Sequence, residues 1–270
     1  MRRAEVLDNI VREIDETEQQ EMRGMREHLG ASDLSSECDA FLNITFNWGK
    51  PSHVTGRVAR ILQRGKREEI LFRERLVMAG FVLCDHLPTT FNMTGGHIAG
   101  ECDGWVQHKT WREPLIVEYK TMNQSSFRKL EKHGVESGFR HYYAQMSIYG
   151  YMLHSPKVLF VAINKNDESI HIELVEIDKL LAKDLLARGR DVVAGTLPAV
   201  KISQSPDYYI CKMCPFHRVC HGNERLSKNC RSCKHSEPAL LGTMGSFNWK
   251  CGLDKDIQKF YKKGCESWSA

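Results

Sequence analysis

Residues 95–123 read GGHIAGECDGWVQHKTWREPLIVEYKTMN. An aspartate sits in a glycine-flanked turn, Gly100-Glu101-Cys102-Asp103-Gly104; a hairpin-like break follows, then an apolar strand ending in Glu118-Tyr119-Lys120. Side chains two apart on a strand share a face, so Glu118 and Lys120 point together while Tyr119 points away. An acid and a lysine at the end of a buried strand, facing a second acid, suggest a metal site. A lone E-x-K is also the signature of a surface salt bridge, so the choice rests on what the rest of the chain brings to the same place.

The chain has 270 residues, enough for one large domain or a domain with an appendage. With 41% hydrophobic and 27% charged residues it reads as a globular protein, not a disordered or fibrous one. A net charge of +4 permits a local basic face for nucleic acid without demanding one. No apolar run approaches the ~18 residues of a membrane span. The opening residues, MRRAEVLDNIVREIDETEQQ, are charged throughout and hold no apolar signal core, so the expectation is a cytoplasmic protein. Seven of the ten cysteines lie between Cys211 and Cys265, and four of them form two C-x-x-C pairs. In a chain of this length with no signal segment, that pattern reads as metal ligation before disulfides.

Three regions follow from the patterning. Residues 1–29 read as an amphipathic helix, with Val6, Ile10 and Ile14 at helical spacing, a lid or a partner-facing element. Residues 30–222 form the main unit, a mixed α/β core with a cysteine cluster at its end, and 223–270 a small cysteine-rich tail. Within the main unit, Ser32 or Asp33 is placed to cap a helix running through Cys38 to Phe46. A long helix spans 56–76, with Val58, Ile61, Leu62, Ile70, Leu71 and Leu76 as its apolar face and Gly65 marking close packing. Arg57, Arg60, Arg64, Lys66 and Arg67 make that helix basic, either a solvated face or a DNA-phosphate contact. Strands are expected at 80–93, 97–107, 115–121, 157–165 and 171–177, with helices at 138–153 and 178–194.

Two or three carboxylates converging on one point need a cation between them. Glu69 on the basic helix joins Asp103 and Glu118 as candidate ligands for Mg²⁺ or Mn²⁺, with Lys120 beside them to orient water or to stabilise the transition state. Gln145 and Tyr149, four apart on one helix face, are placed to position that lysine or a DNA backbone.

Taken in order, Glu69, Gly100-x-x-Asp103, Glu118-x-Lys120 and Gln145-x-x-x-Tyr149 resemble the PD-(D/E)xK nuclease superfamily, and in it the RecB-type exonucleases carried by tailed phages, relatives of lambda exonuclease and of the CRISPR-adaptation nucleases. The resemblance covers roughly residues 30–220. It implies a restriction-endonuclease-like core and a metal-dependent DNA exonuclease acting in phage recombination or DNA processing, in the host cytoplasm, beside a strand-annealing partner. An endonuclease, and a non-catalytic DNA-binding scaffold on the same fold, are the alternatives. One departure stands out: the family commonly has a metal-binding histidine in G-H-x-x-E, and here Gly65-Lys66-Arg67-Glu68-Glu69 has Lys66. His97 is the candidate substitute ligand, or else a hydrogen-bonded structural histidine.

Cys211, Cys214 and Cys220 form C-x2-C-x5-C and need a fourth ligand, from Cys38, His217 or His221. In similar nucleases of the AddB and CRISPR-adaptation type, one cysteine before the nuclease motifs and three after them hold an iron–sulfur cluster, and Cys38 lies in the matching place. Such a staple would close a loop of roughly 170 residues. A zinc site on the three cysteines and a histidine is the alternative. Cys230, Cys233, Cys251 and Cys265, with His235 nearby, read as a structural zinc ribbon in a tail too short to bury a core, with Phe247, Trp249 and Trp268 as its apolar residues. Cys84 and Cys102 read as ordinary buried thiols.

Overall fold

The computed structural model describes residues 3–21, 25–50, 54–240 and 249–269. In chain order, helix α1 (Arg3–Glu21) is followed by the short helices α2 (Ala31–Leu34) and α3 (Asp39–Phe46), and by the long α4 (Gly56–Met78). Strands β1 (Val82–Leu83), β2 (Thr90–Met93), β3 (Ile98–Glu101), β4 (Trp105–Gln107) and β5 (Leu115–Met122) come next. Helices α5 (Gln124–Gly138) and α6 (Arg140–Met152), strands β6 (Lys157–Asn164) and β7 (Ile170–Glu176), and helix α7 (Lys179–Val193) complete the main unit. The cysteine-rich end adds α8 (Tyr209–Met213), α9 (His217–His221), β8 (Ser236–Pro238), β9 (Trp249–Cys251) and α10 (Ile257–Phe260).

The main sheet has the order β1-β4-β5-β6-β7, with β5 and β6 parallel and the other pairs antiparallel. It is the mixed α/β architecture expected. The parallel pair is joined by α5 and α6, because a parallel crossover needs a connection long enough to return to the same end of the sheet. β5 and β6 are buried on both faces, as a central parallel pair should be. On one face Val117, Tyr119, Leu159, Val161 and Ile163 pack under Phe72 and Leu76 of α4. The ring of Phe72 stacks on Tyr119 at 5.5 Å and 14°. The opposite face carries the larger core, where Ile116, Met122, Phe160 and Ala162 meet residues of α2, α3, α6 and α7.

Several boundaries differ from the sequence reading, each for a local reason. Residues 30–46 are two helices: Asp33 accepts the Gly30 amide at 2.8 Å to cap α2, and Cys38 is the N-cap of α3, outside its helical turns. The face of α4 that packs inward is Ala59, Phe72 and Leu76; Val58, Ile61, Leu62, Ile70 and Leu71 are exposed. Gly65 has open space where a Cβ would stand, so it marks no close approach. The stretches 80–93 and 97–107 each break in two, at a turn before Thr90 and at the Cys102–Gly104 turn. In α1 Ile10 and Ile14 are exposed; the Val6 side chain lies outside the described residues.

The cysteine-rich end is tied into the main core. Trp249 and Tyr261 are buried there with Phe46 and Trp48. Asn229 donates from Nδ2 to the Trp48 carbonyl at 2.9 Å, and the Ser227 amide to the Gly49 carbonyl at 2.7 Å. Trp268 is half-buried and donates to Ser232 Oγ at 3.3 Å. Phe247 lies outside the described residues.

Candidate active site

Strand β5 delivers two of the four central groups by alternation alone. Tyr119 turns under α4, and Glu118 and Lys120 face the other way. Asp103 is brought to them by the turn between β3 and β4, where Gly104 has φ +144°, a conformation side chains seldom adopt. The turn is locked across β5: Asp103 Oδ2 accepts the Tyr119 amide at 2.8 Å, and the Gly104 carbonyl accepts the Val117 amide at 3.0 Å. Arg73 of α4 donates to the Asp103 carbonyl at 3.4 Å. Glu69 lies on the same helix, one turn before Arg73.

These groups line one cavity of about 540 Å³. Glu69, Asp103, Glu118, Lys120, Gln145 and Tyr149 all reach it, and Lys66 lies on its edge. Gln145 Nε2 donates to Tyr149 Oη at 3.3 Å, the pair predicted from their spacing. Gly100 lets Tyr149 approach: a Cβ there would stand 3.0 Å from the Tyr149 ring and 2.6 Å from Phe91.

The electrostatics are those of an acid cluster short of positive charge. Glu118 is 1% exposed. Its Oε1 accepts from Lys120 Nζ, and its Oε2 is buried with no hydrogen-bond partner. Burial pushes the Glu118 carboxyl up to about 7, against the pull of Lys120 and with the push of Asp103. Burial likewise raises Asp103, opposed by Lys120 and the Tyr119 amide. Glu69 is raised by burial and by the Asp103 charge. Burial would lower Lys120, but Glu118 and Asp103 more than reverse it, so the ammonium is held well above its usual range. Lys120 also donates to the Tyr119 carbonyl at 3.2 Å and sits 5.3 Å from the centre of the Tyr142 ring.

The other sequence candidates fall elsewhere. His97 is 2% exposed and outside this cavity: Nε2 lies 3.1 Å from the Ala239 carbonyl, and the ring packs edge-on against Phe46 and Trp249. Its place is that of a structural histidine. Arg60 is paired with Asp15 at 2.7 Å and Glu18 at 2.5 Å on α1, and Arg64 with Glu168 at 3.7 Å. Arg57 and Arg67 are exposed on α4, outside the cavity. Three cavity residues escaped the sequence reading: Arg26 and His28, from the extended segment before α2, and Glu101. The only signal for the first two is an Arg-Glu-His run two residues before the Gly30 break.

The cysteines gather as two sets. Cys38, Cys211, Cys214 and Cys220 line a cavity of about 330 Å³ that His217 and His221 also border. Burial raises the Cys214 and Cys220 thiols, and the other cysteines of the set raise them further. Cys230, Cys233, Cys251 and Cys265, with His235, surround a space of about 20 Å³. Burial and the three companion thiols push Cys230 up to about 11. Among the described residues, no three His, Cys, Asp or Glu side chains are closed tightly enough to hold a metal ion as placed. Cys84 and Cys102 are buried thiols in the core, with Cys102 pushed up to about 12 by burial.

A family model of the PD-(D/E)XK nuclease superfamily matches residues 3–221. The chain belongs to that superfamily. No curated protein matches it in sequence. Among solved structures it is similar to SSO0001, with 13% identity and a TM-score of 0.48, covering 80% of this chain and 97% of that one. It is also similar to the alkaline exonuclease LHK-Exo from Laribacter hongkongensis, with 16% identity and a TM-score of 0.46, covering 67% and 92%. The complex of LHK-Exo with dAMP aligns with 14% identity and a TM-score of 0.45, covering 63% and 88%. Among the described residues no helix is long and apolar enough to cross a membrane.

Proposed function

We propose that the chain is a divalent-metal-dependent deoxyribonuclease that hydrolyses phosphodiester bonds from the ends of linear DNA. The observation that carries this reading is the meeting of Glu69, Asp103, Glu118 and Lys120 in one cavity, with the buried Glu118 Oε2 left without a partner. An orphaned buried carboxylate oxygen beside two further acids is a donor set suited to a hard cation. Glu69, Asp103 and Glu118 would hold Mg²⁺ or Mn²⁺, with Lys66 standing where many relatives have a histidine. When bound, the ion supplies charge neutralisation at the scissile phosphate and a lowered pKa for the attacking water.

The protein's own groups do the rest. Lys120 stays protonated, so it donates hydrogen bonds to the water or to a phosphate oxygen and does not remove a proton. The proton that the water loses can pass to a cavity carboxylate not engaged by the ion, such as Glu101, or to solvent. Water adds to phosphorus as the bond from phosphorus to the leaving oxygen breaks. Gln145 and Tyr149 hold the wall behind Lys120 through their mutual hydrogen bond. Arg26 and Lys66 add positive side chains to the lining of the cavity, which suits a polyanion, while burial lowers His28 and keeps it a neutral donor or acceptor. Purified protein incubated with linear duplex, closed circular duplex and single strands in Mg²⁺ tests the reading. Loss of linear DNA alone supports an exonuclease, and nicking of the circle makes it an endonuclease. Cleavage that survives Lys120→Ala would remove this cavity as the active site.

The cysteine sets support different occupants. A void needs about 10–15 Å³ of such volume to hold one water. The space inside the second set, about 20 Å³, therefore suits a single ion, and we assign it a structural zinc on Cys230, Cys233, Cys251 and Cys265. For the first set we assign an iron–sulfur cluster to Cys38, Cys211, Cys214 and Cys220, because the one cysteine before the nuclease motifs lines the same cavity as the three after them; a zinc on the three cysteines and a histidine is the alternative. Anaerobic purification followed by iron, sulfide and zinc analysis separates the two. A colourless protein holding only zinc would overturn the first assignment.

A further inference from the structure

The second cysteine set carries a residue bonded to the backbone of a segment that lines the catalytic cavity. Arg231 lies inside the Cys230–Cys233 knuckle and is 2% exposed. Its guanidinium carbon stands 4.8 Å from the ring centre of Phe46, 4.6 Å from that of Trp48 and 4.9 Å from that of Trp249. An arginine buried among three aromatic faces is costly to desolvate, and is retained where its planar fork has a fixed task. Here Nη1 donates to the Glu27 carbonyl at 3.2 Å.

Glu27 lies between Arg26 and His28, both of which line the catalytic cavity. The same short segment is pinned at each neighbouring carbonyl or amide. Trp48, from the aromatic box, donates from Nε1 to the Arg26 carbonyl at 2.8 Å. The Leu29 amide donates to the His97 carbonyl at 2.9 Å, and the Ala99 amide to the Leu29 carbonyl at 3.1 Å, a parallel bridge that joins the segment to β3. His97 itself packs against Phe46 and Trp249. One aromatic box, filled by Arg231, thus holds the backbone that presents this wall of the cavity.

We propose that Arg231 is a positioning residue for the catalytic cavity, holding the Glu27 carbonyl and with it the segment from which Arg26 and His28 line the cavity, and that it makes DNA engagement depend on an intact second cysteine set. The consequence for DNA rests on the nuclease reading; the positioning of the segment does not. Arg231→Met keeps the bulk and the contact with the rings but leaves the Glu27 carbonyl unanswered, whereas Arg231→Lys retains a cationic donor for it.

The test compares hydrogen exchange at the amides of Leu29 and Gly30, zinc content, and the Kd for a linear duplex without added Mg²⁺, in wild type, Arg231→Met and Arg231→Lys. Loss of a charged donor to a buried carbonyl should speed exchange at Leu29 about tenfold or more and raise the DNA Kd by a similar factor. Zinc content should stay unchanged, and Arg231→Lys should recover part of both effects. A zinc-loaded Arg231→Met with wild-type exchange at Leu29 overturns the proposal, as does faster exchange with no change in Kd. If Arg231→Met does not fold, Trp48→Phe, which removes the donor to the Arg26 carbonyl and trims the ring beside Arg231, tests the same pinning of the segment. Cleavage by wild type in Mg²⁺ is read separately, so failure of the nuclease reading leaves the exchange result standing.

Discussion

Replacing Lys120 with methionine removes the ammonium that now answers Glu118. The Glu118 side chain is 2% exposed and Lys120 22%, so the pair lies largely out of solvent. Removing one partner of a buried ion pair leaves an uncompensated charge, at a cost of about 3–5 kcal/mol. For a domain of this size each kcal/mol moves Tm by about 2–4 °C, so metal-free Lys120→Met should melt up to about 6–20 °C below wild type once Glu118 is fully ionised.

The loss has a pH dependence with a definite sign. Burial already holds the Glu118 carboxyl at about 7, and Lys120 is the main influence pulling it down, so the variant raises it further. A raised carboxyl costs no stability below its unfolded value, near 4.5, and reaches its full cost above its folded value. The deficit should therefore be small at pH 5, appear as pH rises past 7 and still be growing at pH 8. Mg²⁺ should restore the variant by more than it stabilises wild type, because in wild type a cation must first displace Lys120 from Glu118. At a hundred times Kd the gain is about 2.7 kcal/mol. Thermal melts at the two pH values, with and without Mg²⁺, read all of this. An unchanged Tm at pH 8, or an equal loss at pH 5, would refute the view that Glu118 is a buried anion awaiting a cation.

Three further outcomes follow from the same geometry. Asp103→Asn keeps an acceptor for the Tyr119 amide and should fold, yet it and Glu118→Gln should each cut the hydrolysis rate by about a hundredfold or more, checked by kcat in Mg²⁺ alongside circular dichroism. Under the proposed iron–sulfur assignment, Cys38→Ser removes the single ligand on the far side of a loop of roughly 170 residues and should cost about 5 kcal/mol on the chain-entropy account, read by urea unfolding together with iron content. Gly100→Ala should cost about 1–3 kcal/mol, because its Cβ would fall 2.6 Å from Phe91 and 3.0 Å from Tyr149; equal urea midpoints for wild type and variant would contradict the packing described.

Much of the site was legible because its residues are spaced by secondary-structure periods. Glu118 and Lys120 share a face by strand alternation, and Gln145 and Tyr149 by helical spacing; both pairs meet in one cavity. The α/β order was legible too, because β5 and β6 are continuous apolar runs. What failed was whatever depends on partners distant in sequence. Of the apolar face read on α4, Leu76 does pack inward, but Val58, Ile61, Leu62, Ile70 and Leu71 are exposed and Phe72 joins Leu76 against the sheet, because periodicity alone does not say which stripe finds a partner. Sequence left His97 open between a ligand and a structural histidine, and only its partners on other elements, Phe46 and Trp249, show where its ring packs. Arg26, His28 and Arg231 had no pattern to announce them, since an extended segment and a cysteine knuckle carry no period.

The account stands on the claim that Glu69, Asp103 and Glu118 hold one cation. Anomalous diffraction from crystals of the wild-type protein soaked in Mn²⁺ tests it most directly. The account predicts a peak among these three carboxylates, at roughly the 2.0–2.2 Å ligand distance of a small oxygen-bound divalent ion, with Lys120 Nζ moved off Glu118 Oε1. A peak bound elsewhere, or an undisturbed Lys120–Glu118 pair with no ion at saturating Mn²⁺, would contradict it.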